Sequence, residues 1–255
     1  MAVRIDFLGH ATCLVELAGV RVLTDPLLLP HMGPLVRVVA PLRPDDVGPV
    51  DVVLISHLHH DHCHLASLRL LGQPRHVVVP RGAGQIVARS GLGHVREQGV
   101  GEILHVGRLT VTTVPAVHDG SRGPLGPVAE TVGYLLEGDG ESVYFAGDTA
   151  LYDEMESLAP RLDVALLPVW GWGPNLGPGH MDPQQAADAA VLLRPRLAVP
   201  IHWGTFFPAG LRTLAPSRRD RLTEPPHEFA AAVAERGLAT QVRVTDPGHP
   251  VALHG

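Results

Sequence analysis

The sequence contains no lysine, since all 20 of its basic residues are arginine. A chain without lysine cannot form a Schiff base with a substrate or build a phosphate-binding loop that depends on lysine. Its two cysteines, Cys13 and Cys63, are too few for a disulfide framework or a cysteine-rich zinc site. The first residues show no charged leader before an apolar segment, and no apolar run reaches the ~18 residues of a membrane span. We therefore expect a soluble, cytoplasmic protein without stable membrane insertion.

Charge and composition narrow the class of protein further. The 20 basic and 26 acidic residues give a formal net charge of −6, whereas nucleic-acid binding needs a positive surface. We therefore expect no nucleic-acid partner. Hydrophobic residues make up 45% and charged residues 18% of the 255 residues, which excludes a disordered or coiled-coil chain. Because no repeat or break in composition interrupts the chain, we predict a single domain over residues 1–255.

Hydrophobic periodicity predicts a mixed α/β chain. Alternating runs on both sides of Ala18-Gly19 predict a β-hairpin, and the apolar run over residues 50–56 predicts a buried strand. Asp182-Pro183, an N-cap followed by proline in the first turn, predicts a helix that extends through Leu193. The proline-rich residues 26–50 predict an irregular excursion, for which a lid, a packed loop and an oligomer contact stay open.

Histidine is abundant, with 16 residues, and several histidines follow the predicted strand over residues 50–56. In an extended segment His57 and His59 point to the same side, because successive side chains alternate between two faces. Asp61 and His62 follow as the chain turns toward the next helix. Imidazole and carboxylate together suit zinc, iron or manganese. The spacing therefore predicts a metal site at this strand end.

Three other predicted strands also end in a residue that can bind a metal. Binding sites in α/β sheets lie beyond the carboxyl ends of the strands, so we expect these side chains to converge on residues 57–62. The combined set offers enough ligands for two metals, with positions left open for water and substrate. The candidate ligands are His57, His59, Asp61, His62, His118, Asp148 and His202.

Several motifs resemble the metallo-β-lactamase superfamily, and together they span most of the chain. They are GHAT at residues 9–12, TDP at 24–26, HLHHDH at 57–62, AGDT at 146–149 and IHWGT at 201–205. GHMDP at 179–183 and EPP at 224–226 add a finer match to one branch. That branch contains N-acyl-phosphatidylethanolamine phospholipase D and L-ascorbate-6-phosphate lactonase. Because one fold hosts many reactions, the resemblance specifies fold and metal more closely than substrate.

The resemblance implies an α/β fold, the four-layer αβ/βα sandwich of the metallo-β-lactamases, with two divalent metals at one edge. Zinc is the implied metal, with manganese or iron as alternatives, and a metal-bridging hydroxide would act as the nucleophile. The implied substrate is a small molecule with an ester, lactone or phosphodiester bond. Asp61 is also implied to orient the nucleophile. By resemblance, His57, His59 and His118 hold one metal, Asp61, His62 and His202 hold the second, and Asp148 bridges them.

Other residues are candidates for supporting roles. His180 matches a family position near the substrate, which implies substrate contact or proton donation; a surface histidine beside a helix cap is the alternative. Asp25 and His10 match positions close to the metals and are expected to hydrogen-bond the ligands. Cys63 is expected to be an inert, buried thiol. Packed aromatics and solvated arginines are common, but six residues are candidates for a pocket wall or an anion contact: Trp170, Trp172, Trp203, Arg37, Arg43 and Arg122.

Three alternatives to a small-molecule hydrolase stay open: an RNA-processing phosphodiesterase, a true β-lactamase and a non-catalytic metal-binding protein. The net charge of −6 and the absence of lysine argue against the first. The missing secretion signal argues against the second, because that activity belongs outside the cytoplasm. The complete ligand set argues against the third. The sequence is also compatible with a homo-oligomer.

Overall fold

The computed structural model describes residues 3–158, 161–171, 177–209 and 220–251. The strands are β1 Arg4–Gly9, β2 Thr12–Leu17, β3 Val20–Thr24, β4 His31–Met32, β5 Leu35–Arg37, β6 Val52–Leu54, β7 His76–Pro80, β8 Val95–Gln98, β9 Ile103–Val106, β10 Leu109–Pro115, β11 Val132–Gly138, β12 Glu141–Phe145, β13 Val164–Pro168, β14 Leu197–Ile201, β15 Phe206–Pro208, β16 Gln241–Val242 and β17 His249–Pro250. The helices are α1 Pro44–Val47, α2 Leu65–Leu68, α3 Gly84–Ala88, α4 Pro183–Leu193 and α5 Asp220–Glu235, with a 3₁₀-helix at Asp153–Ser157. Within these ranges no helix has the length and apolarity needed to cross a membrane.

The strands form two large sheets. The strand order is β17-β1-β2-β3-β6-β7-β8 in the first sheet and β16-β14-β13-β12-β11-β10-β9 in the second. In the first sheet β3, β6, β7 and β8 are parallel, and in the second β12, β13, β14 and β16 are parallel. β10 points the same way as β12, because both pair antiparallel with β11. Each sheet therefore delivers several strand ends to one edge.

Helices cover the outer face of each sheet. On the outer face of the first sheet, Val53 of β6 and Val77 of β7 pack with Ile86 of α3. The next residue of β6, Leu54, points to the other face and packs in the core shared with the second sheet. On the second sheet, α4 and α5 pack against each other and against β13 and β14. The alternation arises because successive strand side chains point to opposite faces. The result is a helix–sheet–sheet–helix sandwich, which confirms the predicted fold class.

The turn and helix-cap motifs in the sequence predicted the β2–β3 hairpin and the start of α4 correctly. The hairpin around Ala18-Gly19 is confirmed by the pairing of β2 with β3. Helix α4 begins after Asp182, whose side chain accepts from the Gln185 amide in a capping box. The prediction of an irregular excursion over residues 26–50 was wrong in part, because β4 and β5 form a hairpin there. That hairpin pairs with β15 in a small third sheet, a partner too distant in the chain for a local pattern to indicate.

Candidate metal centre

The loop over residues 57–62 contains four of the predicted ligands. It follows β6, and its main chain turns at His59, whose carbonyl oxygen accepts from the amides of His62 at 3.1 Å and Cys63 at 2.8 Å. His57 and His62 are buried, whereas His59 and Asp61 are half-buried. The turn therefore places two ligands deep in the protein and two nearer its surface.

Arg122 braces this loop from a neighbouring segment. Its Nη1 atom donates to the carbonyl oxygens of Leu58 at 2.8 Å and Cys63 at 3.0 Å. The sequence made Arg122 a candidate for an anionic substrate, but the structure gives its guanidinium this main-chain contact. Hydrogen bonds from a charged donor are stronger than neutral ones, so Arg122 fixes both ends of the turn that presents the ligands.

Arg122→Met is expected to lower the free energy of unfolding by about 1–3 kcal/mol, because it leaves the carbonyl oxygens of two buried residues without their charged donor. It should also weaken metal retention, since the loop loses its brace. Thermal unfolding and metal content after dialysis against a weak chelator measure both effects. Arg69→Met is the matched control, since Arg69 is exposed and its contact is with the Arg89 carbonyl on the surface. Equal losses in the two variants would contradict the bracing role.

The second sheet supplies the other three predicted ligands. His118 follows β10, Asp148 follows β12 and His202 directly follows β14. Asp148 and His202 are buried, and His118 is half-buried. These strand ends face the loop over residues 57–62 from the first sheet, so the structure brings together all seven side chains that the sequence singled out.

The donor atoms form two groups. In the first group, the donors of His57, His59 and His118 all lie within 4.8 Å of one another, and His118 Nε2 is 3.0 Å from His59 Nδ1. In the second group, Asp61, His62 and His202 also lie within 4.8 Å of one another, and the two Nε2 atoms of His62 and His202 are 3.2 Å apart. Each group is compact enough for one metal ion.

Asp148 lies between the two groups. Its Oδ2 atom is 3.3 Å from His62 Nε2 and 3.4 Å from His202 Nε2. Its carboxylate also belongs to a cluster with His118 of the first group, in which the donors lie within 4.8 Å of one another. Its Oδ1 atom is buried and has no hydrogen-bond partner among the described residues. One carboxylate oxygen is thus engaged and the other is available.

The histidines are held in the orientation that metal binding requires. In four of them a neighbouring acceptor holds Nδ1, which leaves Nε2 facing the centre; such contacts are typical of metal-binding histidines. Nε2 of His57 is buried without a hydrogen-bond partner in the described chain, which is costly unless a ligand is bound there. The residues therefore fit metal ions. The Nδ1 contacts are His57 to Ser56 Oγ at 2.9 Å, His62 to Asp25 Oδ2 at 2.7 Å, His118 to the Gly179 carbonyl at 2.7 Å, and His202 to the Trp170 carbonyl.

The electrostatics of the cluster also favour a cation. Burial lowers the pKa of His57 well below its ordinary value and that of His118 to about 4, so both are neutral, the form that binds a metal. His62 differs: burial disfavours its charged form, but Asp148 and Asp61 outweigh burial and hold its pKa well above the ordinary value. The two carboxylates thus stabilise positive charge at this point, which a bound metal ion would supply.

A buried pair, Asp25 and Ser56, supports the ligands from behind. Asp25 accepts from the Ser56 amide at 2.7 Å and from the Ser56 hydroxyl at 2.5 Å, in addition to its contact with His62. Ser56 in turn accepts from His57, so one carboxylate orients ligands of both groups. The sequence predicted a supporting role for Asp25. It missed Ser56, although a hydroxyl at the end of an apolar strand was a signal.

His10 supports the second group. Its Nε2 atom is 2.9 Å from Asp61 Oδ2, and its carbonyl oxygen accepts from the His202 amide at 2.7 Å. The residue is buried and has a φ of 57°, a left-handed conformation that is costly outside glycine and clusters at functional sites. The structure thus places His10 against two ligands of the second group, in line with the hydrogen bonding expected from the sequence.

A cavity of about 590 Å³ opens over the centre. His180 lines it, with 21% of its side chain exposed and its Nε2 atom 3.5 Å from Asp148 Oδ2. This contact with Asp148 raises the pKa of His180. His180 therefore faces the candidate centre and does not lie on an outer surface. Substrate contact or proton donation by His180 requires this position.

Two of the three tryptophans considered as candidates for a pocket wall have other positions. Trp203 is buried in the main core, and its Nε1 atom donates to the Pro200 carbonyl at 2.9 Å. Trp170 packs against the same core and contributes its carbonyl to His202. Trp172 lies outside the described residues. Cys63 is buried, and burial raises the pKa of its thiol to about 11, in keeping with an inert role.

Comparison with known proteins identifies the family. Residues 20–203 match the β-lactamase superfamily domain. The chain belongs to the metallo-β-lactamase superfamily. Within this superfamily it is 34% identical to a UPF0173 metal-dependent hydrolase of Methanopyrus kandleri over 96% of this chain and 97% of that protein, so it belongs to these metal-dependent hydrolases.

Other members of the superfamily match over most of the chain. The N-acyl-phosphatidylethanolamine-hydrolyzing phospholipase D 1 of Caenorhabditis elegans is 29% identical over 86% of this chain and 68% of that protein. The structure of Igni18, a metallo hydrolase from Ignicoccus hospitalis, superposes with a TM-score of 0.70 at 27% identity and covers 98% of this chain and 97% of that one. The resemblance found in the motifs is therefore confirmed.

Proposed function

We propose that the protein is a dinuclear metal-dependent hydrolase that cleaves an ester, lactone or phosphodiester bond in a small molecule. One observation carries the proposal: two compact groups of ligands meet at a single carboxylate, that of Asp148. In this proposal His57, His59 and His118 would hold the first metal, Asp61, His62 and His202 would hold the second, and Asp148 would be shared between them.

The residues of the chain hold this arrangement in place before substrate arrives. When bound, a pair of divalent cations supplies an activated water at neutral pH and polarises the oxygen atoms of the substrate. Asp148 has Oδ2 beside the second group and a buried Oδ1 without a hydrogen-bond partner among the described residues, and its charge would offset that of the cations. Asp61, held by His10 at 2.9 Å, orients the nucleophile at the edge of the cavity. Zinc is the metal we expect, followed by manganese and iron, because histidine and carboxylate ligands suit all three.

His180 is the proton donor in this proposal. It lines the cavity, and its Nε2 atom is 3.5 Å from Asp148 Oδ2. A leaving group in the cavity can take the proton from His180 Nε2, which general acid catalysis requires to be within reach of the substrate. His180 belongs to neither group of three ligands, although its donor atom lies within 4.8 Å of those of His118 and Asp148, and in this proposal it acts on the substrate.

Protein purified without chelator is expected to contain about two metal ions per chain, since each group of ligands suits one. Elemental analysis measures the metals, and turnover of p-nitrophenyl acetate and bis(p-nitrophenyl) phosphate measures hydrolysis. A strong chelator should abolish turnover, and added zinc should restore it. Protein without a transition metal would contradict the dinuclear site, and two bound metals without turnover would favour the non-catalytic alternative.

A further inference from the structure

The cavity over the candidate centre has two unlike walls. One wall is polar and includes His59, Asp61, Asp148 and His180. The other wall is the tip of the β4–β5 hairpin, residues 32–35, with the sequence Met-Gly-Pro-Leu. None of these four side chains is charged or can donate a hydrogen bond. A substrate that reacts at the polar wall therefore has an apolar surface within the same cavity against which it can pack.

The hairpin is fixed to the body of the protein. β5 pairs with β15, and outside this ladder the Ala209 amide donates to the Pro34 carbonyl at 2.9 Å. Arg37 anchors its base, since its Nη2 and Nε atoms donate to the carbonyl oxygens of Leu8 and Ala40. Met32 and Leu35 remain only half-buried at the tip. They are thus held in position and are accessible from the cavity.

No arginine is available to this cavity among its described lining residues. The guanidinium groups of Arg37 and Arg122 are bound to main-chain carbonyls, and the remaining Nη1 atom of Arg37 is buried from solvent. Arg43 is exposed and pairs with Asp46 at 3.3 Å. Proteins that select phosphate groups usually present arginine to them, whereas apolar walls select apolar groups.

We infer that the substrate of this site is a carboxylic ester or lactone with an apolar group next to the scissile bond, and that Met32 and Leu35 select it by packing against that group. The inference rests on the proposed hydrolase function. Each methylene that packs on the wall should raise kcat/KM by about fourfold, the ratio that corresponds to its transfer from water. The described lining offers no arginine to the phosphate of a phosphodiester.

The metal-loaded protein should therefore be assayed with p-nitrophenyl acetate, butyrate and hexanoate and with bis(p-nitrophenyl) phosphate. We expect kcat/KM to rise along the ester series and to be lowest for the phosphodiester. Leu35→Asn should raise KM for the hexanoate about tenfold, which corresponds to ~1.4 kcal/mol, and raise KM for the acetate less, because the acetyl group has no chain to pack on the wall. Leu35→Met should keep the preference. Calorimetric titration with hexanoate and acetate makes the same comparison without turnover.

Two controls separate selection from folding. Ile103→Asn alters an exposed apolar residue on β9, outside the cavity, and should leave the ester series unchanged. Met32→Ser provides a second variant of the wall if Leu35→Asn unfolds, as thermal unfolding and metal content will show. A flat ester series, or preference for the phosphodiester, overturns the inference and leaves the hydrolase. A metal-loaded protein that cleaves none of the four compounds overturns both.

Discussion

Asp148→Asn is expected to give a folded protein with about one metal per chain and turnover reduced by about 10³-fold or more. The neutral amide cannot offset two cations, and its nitrogen atom is not a ligand for either. Loss of one cation removes several kcal/mol of charge stabilisation in the transition state, which corresponds to a reduction of this size. Elemental analysis and turnover of the same preparation measure both effects.

Asp163→Asn is the matched control for this variant. Asp163 is also buried, but it lies at the start of β13 and accepts from the Ser142 amide at 2.9 Å and hydroxyl at 3.1 Å. It should lower thermal stability while metal content and turnover stay close to those of the unaltered protein. If Asp148→Asn retained two metals and full turnover, Asp148 would not connect the two groups.

His180→Ala is expected to keep both metals and to reduce turnover by about 10²–10⁴-fold, the usual effect of removing a general acid. The reason is its position: it lines the cavity and contacts Asp148 but lies outside both groups of ligands. Metal content and turnover on one preparation distinguish three roles. A loss of metal would make His180 a ligand, and a small loss of rate with full metal would limit it to shaping the loop.

His105→Ala controls for the removal of a histidine as such. His105 is exposed on β9, and its Nδ1 atom contacts Thr110 Oγ1 at 3.2 Å, away from the cavity. It should change neither metal content nor turnover. Wild-type turnover in His180→Ala would remove His180 from the active site and leave the seven proposed ligands untouched.

The parts of the fold that depend on neighbouring residues could be predicted from the sequence. Helix α4 begins at the expected cap because Asp182 and Gln185 satisfy each other's main-chain groups locally. β8 and β17 were not predicted. β8 is a polar edge strand without an alternating pattern, and β17 is only two residues long and is defined by its pairing with β1. Pairing with a neighbouring strand stabilises such strands, and the local sequence pattern carries no information about that pairing.

In the candidate centre, too, the sequence predicted some features and not others. The strand ends predicted where His118, Asp148 and His202 would meet, because an α/β sheet collects its carboxyl ends at one edge. The contacts behind them were not predictable in detail. The brace from Arg122 to Leu58 joins segments that are remote in the chain, and no spacing rule connects them. The sequence thus indicates the candidate metal ligands better than it indicates the hydrogen bonds that position them.

Each group of proposed ligands contains residues from both sheets, so metal binding would also affect the stability of the whole fold. A cation between His57 of the first sheet and His118 of the second would act as a cross-link between the two halves of the sandwich. A ligand that binds only the folded state at 1,000 times its Kd adds about 4.1 kcal/mol to stability. Two such metal ions would contribute a stabilisation comparable to the whole free energy of unfolding of an ordinary domain. Metal starvation would then deplete the protein itself, through unfolding and proteolysis, as well as its activity.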